Sequence, residues 1–206
     1  MDFADATLSR FASHPGSAHV SALKHLLRYI QGTRQLGITF IRNGGSLVGY
    51  TDSDWAKDIP TRKSVSGNIF MLAGGPVSWS SKAQTCVAQS STEAEYVASA
   101  EAAKELIWLR YLLRDIYHPP SQATPLFIDN RGASLLAKNP VYHNRTKHID
   151  IRHHFIRQCV SDGLIDVKLI STSDNAANLF TKSLGRIKLQ LFRSLIGLQR
   201  IPNPIS

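Results

Sequence analysis

Between Ser80 and Ser91 the apolar residues of this chain change their period, and that change limits the architectures open to it. Before it lie short runs rich in Val, Ile, Phe and Trp, separated by glycine turns. After it, Ala94, Val97, Ala98, Ala102, Leu106, Leu109, Leu113 and Ile116 line one side of a helix over 91–116. Close-set strands followed by a long amphipathic helix call for a mixed sheet with helices packed on its faces. The early runs are Leu36–Ile41, Leu47–Asp52, Val65–Ala73 and Gly75–Ser80. Asn43-Gly44-Gly45 predicts a hairpin between the first two, and Gly74-Gly75 a turn between the last two. An earlier helix is predicted over 17–31, where Val20, Leu23, Leu26, Leu27 and Ile30 fall at helical spacing.

Ser90 followed by Glu93 predicts a capping box for the long helix, and His118-Pro119-Pro120 its stop. Leu126-Phe127-Ile128 reads as a short strand ending at Asp129. Helices over 131–138 and 149–161, a strand over 165–170 and a last helix opened by Asp174-Asn175 and running to Leu184 complete the pattern. One α/β domain over about 44–184 results, with a lead-in before it and a tail after it.

Charge is unevenly placed. The chain has 24 Lys plus Arg against 15 Asp plus Glu, and after Asp174 it holds Lys182, Arg186, Lys188, Arg193 and Arg200 with no acidic residue. Such a surplus suits a polyanion, either nucleic acid or an anionic membrane surface. Cys86 and Cys159 are too few for a disulfide framework and form no zinc pattern, which implies a reducing compartment. No basic-then-apolar leader and no run of about 20 apolar residues occurs, so a soluble intracellular protein without a membrane partner is expected.

Three carboxylates stand at ends of predicted elements. Asp52 closes Leu47-Val48-Gly49-Tyr50, Asp129 closes Leu126-Phe127-Ile128, and Glu95 lies in the first turns of the long helix. Strand ends and helix starts are where ligands collect in α/β sheets, and carboxylates meeting there repel unless a cation joins them. Oxygen donors without a Cys/His cluster point to Mg²⁺ or Mn²⁺. Each residue alone also allows a plainer role: turn-initiating aspartates at 52 and 129, and a solvent-facing glutamate favouring the helix N-terminus at 95. Asp54 reads as a turn residue beside Asp52, and Asp58 as surface.

Seven ordered motifs run from Gly49 to Lys182: Gly49-Tyr50-Thr51-Asp52-Ser53-Asp54-Trp55-Ala56, Arg62-Lys63-Ser64-Val65-Ser66-Gly67, Trp79-Ser80-Ser81-Lys82, Ser90-Ser91-Thr92-Glu93-Ala94-Glu95-Tyr96, Ile128-Asp129-Asn130, Arg145-Thr146-Lys147-His148-Ile149-Asp150 and Leu179-Phe180-Thr181-Lys182. Together they resemble the ribonuclease H domain of Ty1/copia-type retrotransposon Pol polyproteins. The segment from His14-Pro15 to Thr33 resembles the end of the reverse transcriptase part of the same polyprotein. On this resemblance 1–43 is a lead-in, 44–184 the ribonuclease H-like domain and 185–206 a basic C-terminal tail.

The resemblance implies an α/β, ribonuclease H-like fold: a five-stranded mixed sheet, its first three strands antiparallel, with helices on both faces. It implies an acidic cluster holding two Mg²⁺ ions, with Mn²⁺ as a substitute, and places its carboxylates at Asp52, Glu95 and Asp129. The fourth family position falls on Asn178, where an Ala-Asp pair usually precedes Leu-Phe-Thr-Lys. An asparagine keeps an oxygen for a metal but removes one charge, so weaker binding of one ion is expected. Asp174 is read as a helix cap accepting from amides near Ala176 or Ala177.

The implied activity is endonucleolytic, two-metal-ion hydrolysis of the RNA strand of RNA/DNA hybrids during reverse transcription. Asp52 bridges the ions in this scheme, and the cuts leave a 5′ phosphate and a 3′ hydroxyl. Lys57, Arg62, Lys63, Lys82, Arg131 and Lys182 are the candidate substrate-binding cations, each also readable as an ordinary solvated charge. Trp55 and Trp79 read as half-buried packing rather than stacking platforms. His143, His148, His153 and His154 lack zinc-site spacing, and the formal glycosylation acceptor Asn144-Arg145-Thr146 is expected to be unused.

The implied partners are an RNA/DNA hybrid and the reverse transcriptase domain of the same polyprotein, in the cytoplasm within a virus-like particle or in the nucleus. The apolar stripe Leu23, Leu27 and Ile30 is a surface for self-association if nothing covers it. The rival reading is a catalytically weakened or inactive ribonuclease H-like domain that binds nucleic acid or packs against the polymerase. A third is an interaction protein taken over by its host.

Overall fold

Two helices lead the chain, α1 (Asp2–Ser9) and α2 (Ser17–Gly32), and a short strand β1 (Leu36–Ile38) follows. The computed structural model describes residues 1–116, 120–138 and 147–201. Next come β2 (Val48–Asp54), β3 (Val65–Leu72), β4 (Gly75–Ala83), the long helix α3 (Ser91–Asp115) and β5 (Thr124–Ile128). Helices α4 (Arg131–Lys138) and α5 (Lys147–Ser161), strand β6 (Ile165–Leu169), a 3₁₀ turn over Ala176–Phe180, α6 (Arg186–Leu195) and β7 (Leu198–Arg200) complete it.

The main sheet has five strands in the order β4-β3-β2-β5-β6. β2, β3 and β4 run antiparallel, while β5 joins β2 and β6 joins β5 in parallel. The expected five-stranded mixed sheet is therefore the observed one. Strand alternation sends successive side chains of β3 to opposite faces. Phe70 packs with Tyr96, Leu106, Leu126, Ile128, Ile156 and Val167 under α3 and α5. Its neighbours Ile69 and Met71 meet Ala176, Phe180 and Ile196 on the other face. Both faces are covered, and β3 between them is buried at every residue except Leu72.

α3 starts as its sequence dictates. The Ser90 hydroxyl accepts from the Glu93 amide at 3.2 Å, and the Glu93 carboxylate accepts from the Gln89 amide at 2.9 Å, one residue before the cap. The β3–β4 turn is centred on Ala73 and Gly74, at φ 53° and 81°, so it lies one residue earlier than Gly74-Gly75.

The hairpin expected between Leu36–Ile41 and Leu47–Asp52 does not form. Both edges of β2 are taken, by β3 and β5, leaving β1 no place beside it. β1 instead pairs antiparallel with β7, Leu36 facing Arg200. The intervening loop bonds to the β3–β4 turn, with the Ile41 amide donating to the Ala73 carbonyl at 2.7 Å. The last helix also differs: the stretch opened at Asp174-Asn175 makes one 3₁₀ turn, and the α-helix begins only at Arg186. Asn175, not Asp174, caps that turn, its Oδ1 accepting from the Ala177 amide at 3.1 Å. Helix α1 was not expected from the sequence. Residues 117–119, 139–146 and 202–206, and with them the His118-Pro119 stop, Asn139-Pro140, Asn144-Arg145-Thr146 and Pro202 and Pro204, lie outside the described residues.

Candidate active site

β2 and β5 run parallel in the centre of the sheet, with Gly49 beside Leu126 and Tyr50 beside Phe127. Continuing that register by two residues sets Asp129 beside Asp52, at the carboxyl ends of neighbouring strands. Glu95 arrives from the second turn of α3. Ligand atoms of Asp52, Glu95 and Asp129 all lie within 4.8 Å of one another, the first two residues buried and the third half-buried. The structure thus brings together the three carboxylates singled out in the sequence.

Their electrostatics follow from that crowding. Burial pushes the Glu95 carboxyl up to about 8, helped by the charges of Asp52 and Asp129. Burial also raises Asp52, against the opposing pull of the Lys182 ammonium and the Thr181 hydroxyl; Asp129 adds to the rise. One Glu95 oxygen accepts from the Ser53 amide at 3.0 Å, while the other, Oε2, is buried with no hydrogen-bond partner. A buried carboxylate oxygen left unsatisfied among other carboxylates suits a hard divalent cation.

The 3₁₀ turn reaches the site because β3 has no side chain at Gly67, which faces Asp52 across the ladder. A Cβ there would stand 2.7 Å from Thr181 Cγ2 and 2.8 Å from Phe180 Cβ, so only glycine allows the approach. Asn175 ties the turn to β2, its Nδ2 donating to the Thr51 carbonyl at 2.9 Å. The Thr181 hydroxyl then donates to Asp52 Oδ2, and Lys182 Nζ lies 3.4 Å from the same oxygen. Asn178, on this turn, is 2% exposed; its Nδ2 donates to the carbonyls of Thr172 and Asn175, and its Oδ1 is buried without a partner.

No family model matches the chain. The Pol polyprotein of the transposon TNT 1-94 of Nicotiana tabacum is 44% identical over 191 residues, covering 93% of this chain and 14% of the polyprotein. That of the transposon RE1 of Arabidopsis thaliana is 42% identical over 204 residues, covering 98% and 14%. This chain is a ribonuclease H-like domain related to retrotransposon Pol polyproteins. It spans about 14% of the length of these curated relatives. The secreted RxLR effector protein 161 of Plasmopara viticola is 54% identical over 103 residues, 50% of this chain and 72% of its own length.

Around the carboxylates of the ribonuclease H-like domain the expected cations are placed differently. Lys182 touches the cluster. Lys57 pairs with Asp54 at 3.3 Å, and Asp54 is not a member of the carboxylate group. Lys82 lies on the edge strand beside Ser66, which faces Ser53, two strands and roughly 10 Å from β2. Arg62 and Lys63 belong to the β2–β3 loop, and Arg131 opens α4, exposed. Asp58 accepts from Arg10 at 2.8 Å. Trp55 donates to the Ala88 carbonyl at 2.9 Å, but Trp55 and Trp79 are 49% and 50% exposed, so both rings are more open than packing side chains would be. Among the described residues the metal-capable group is the carboxylate triad alone. His143 and the side chains of His148 and His153 lie outside the described residues. No helix among the described residues is long and apolar enough to cross a membrane. Sequence reasoning gave Thr181 and Ser53 no role. Thr181 stood inside the Leu-Phe-Thr-Lys motif, the one signal that could have found it.

Proposed function

We propose that this chain is the ribonuclease H domain of a Ty1/copia-type Pol polyprotein and cuts the RNA strand of RNA/DNA hybrids during reverse transcription. The observation that carries the reading is the meeting of Asp52, Glu95 and Asp129 within 4.8 Å from three separate elements. Carboxylates at that spacing either keep a proton, as the raised Glu95 does without metal, or share a cation. Asp52, Glu95 and Asp129 would hold two Mg²⁺ ions, or Mn²⁺ in their place, with Asn178 Oδ1 as the weak fourth donor. Such ions, when bound, supply an activated water and a stabilised leaving 3′ oxygen, giving a 5′ phosphate product.

The chain's own residues prepare the site. Thr181 and the Ser53 amide fix Asp52 and Glu95, so the donors are oriented before substrate arrives. Lys57, Arg62, Lys63, Lys82, Arg131 and Lys182 would neutralise phosphates, making affinity fall as salt rises. Contacts to 2′-hydroxyls across the minor groove would select the RNA strand. We assign 1–43 to the end of the reverse transcriptase region, 44–184 to the nuclease and 185–206 to a basic tail. The polymerase of the same polyprotein is then the natural neighbour of the lead-in, in the cytoplasm or the nucleus.

The second reading, a weakened or inactive domain, is favoured by one detail: Asn178 bonds two carbonyls with its amide nitrogen, as a structural residue does. A labelled hybrid decides between them. Cutting in Mn²⁺ or Mg²⁺ that disappears in Asp52→Asn supports the nuclease. Salt-sensitive binding without cutting, in a chain that gains activity on Asn178→Asp, supports the weakened domain.

A further inference from the structure

The carboxylate pocket already contains a cation of its own. Lys182 Nζ stands 3.4 Å from Asp52 Oδ2, with side-chain exposures of 32% and 2%. The same oxygen accepts from Thr181, whose residue is fully buried and seated on Gly67. The two partners differ in freedom. The threonine is fixed by the packing of its turn, whereas the lysine is a third exposed and hangs on a flexible four-carbon stem.

A divalent ion joined to Asp52 would place like charge against the ammonium at contact range, where the two repel. The ammonium and the ion therefore exclude one another. Once displaced, a lysine on this flexible stem stays within reach of the pocket mouth, where a bound strand would present its phosphates. We propose that Lys182 is a resident counter-cation of the pocket, which gives up Asp52 when a divalent ion enters and then holds a backbone phosphate of the nucleic acid. Metal entry and strand capture are coupled through this one side chain. The inference rests on the reading of Asp52, Glu95 and Asp129 as metal ligands and adds a regulation of that site.

Two affinities measured on the full chain test it. Mg²⁺ binding without nucleic acid is followed by calorimetry and by the rise in Tm at constant ionic strength. Binding of a labelled RNA/DNA hybrid is followed by anisotropy in Ca²⁺. Lys182→Gln should bind Mg²⁺ about three- to tenfold more tightly, since its competitor is gone, and the hybrid about three- to tenfold more weakly. Lys182→Arg keeps the charge and should restore hybrid affinity. Opposite signs distinguish a displaced cation from a structural lysine, whose loss would weaken both. Unchanged or weaker Mg²⁺ binding in Lys182→Gln overturns the inference while leaving the metal site standing. Absence of Mg²⁺ binding in the wild type overturns both.

Discussion

Asn178 is held by its nitrogen. Nδ2 donates to Thr172 and Asn175 at 2.9 and 2.8 Å, so Asn178→Asp would set a carboxylate against two carbonyl oxygens. In chelator that variant should lose about 1–3 kcal/mol of stability, and Mg²⁺ should return part of it. Paired thermal melts check this, and an unchanged metal-free Tm contradicts it. Glu95 carries a pH prediction. Its carboxyl lies near 8 in the folded chain against 4.5 as a reference value, so between these pH values the folded state keeps a proton the unfolded state releases. Metal-free stability contributed by this group is fully present below about 4.5 and falls as pH rises through 8. The raised Asp52 adds the same sign. Tm in chelator should therefore drop from pH 5 to about pH 8, Mg²⁺ should raise it more at the upper end, and Glu95→Gln should flatten the slope. A Tm rising over that range in chelator would be inconsistent with this. At this scale much of the site was legible, since Asp52, Glu95 and Asp129 close or open elements with clear patterns. The contact of Thr181 with Asp52 was not, because 129 residues separate them and no local pattern encodes the meeting.

Among the elements, α3 is where local pattern and tertiary role agree. Its apolar stripe, read directly from spacing, includes Leu106, which is fully buried against β5 and α5. Leu106→Ala should cost about 2–5 kcal/mol in urea denaturation. Leu27→Ala on α2, where the side chain is 56% exposed, should cost under about 0.5 kcal/mol. The helices α2 and α3 were predicted within a residue or so because a 3.6-residue period is a local property. The partner of β1 was not, since an apolar triplet followed by Asn-Gly specifies a turn tendency but not which edge is free. The C-terminal helix was misplaced for a related reason. Asn175 and Asn178 use their side chains on nearby backbone, in competition with the helix ladder, and Asn175 also bonds the distant Thr51 carbonyl, so the turn stays 3₁₀ and does not propagate.

On the scale of the whole molecule, the second face of the sheet depends on the end of the chain. Ile196, 9% exposed, and Leu198 pack on the side of the sheet that carries Ile69 and Met71. A version stopped after Leu184 should melt at lower temperature than the full chain, even though all five strands of the main sheet remain. An equal Tm would show that α6 and β7 are ornaments. The stripe of Val20, Leu23, Leu27 and Ile30 on α2, each more than 40% exposed, should yield a concentration-dependent sedimentation coefficient if the polymerase it is assigned to is missing and copies pair instead. The ribbon of β1 and β7 has a mechanical consequence. Leu36 faces Arg200 and Ile38 faces Leu198, so the preceding and following chain both leave at the same end of the ribbon. Tension between the termini would thus part this ribbon like a zip, one rung after another, rather than shearing all its bonds at once. An unfoldase hauling on the chain beyond β7 would meet this ribbon first and reach the central strands only after it had opened.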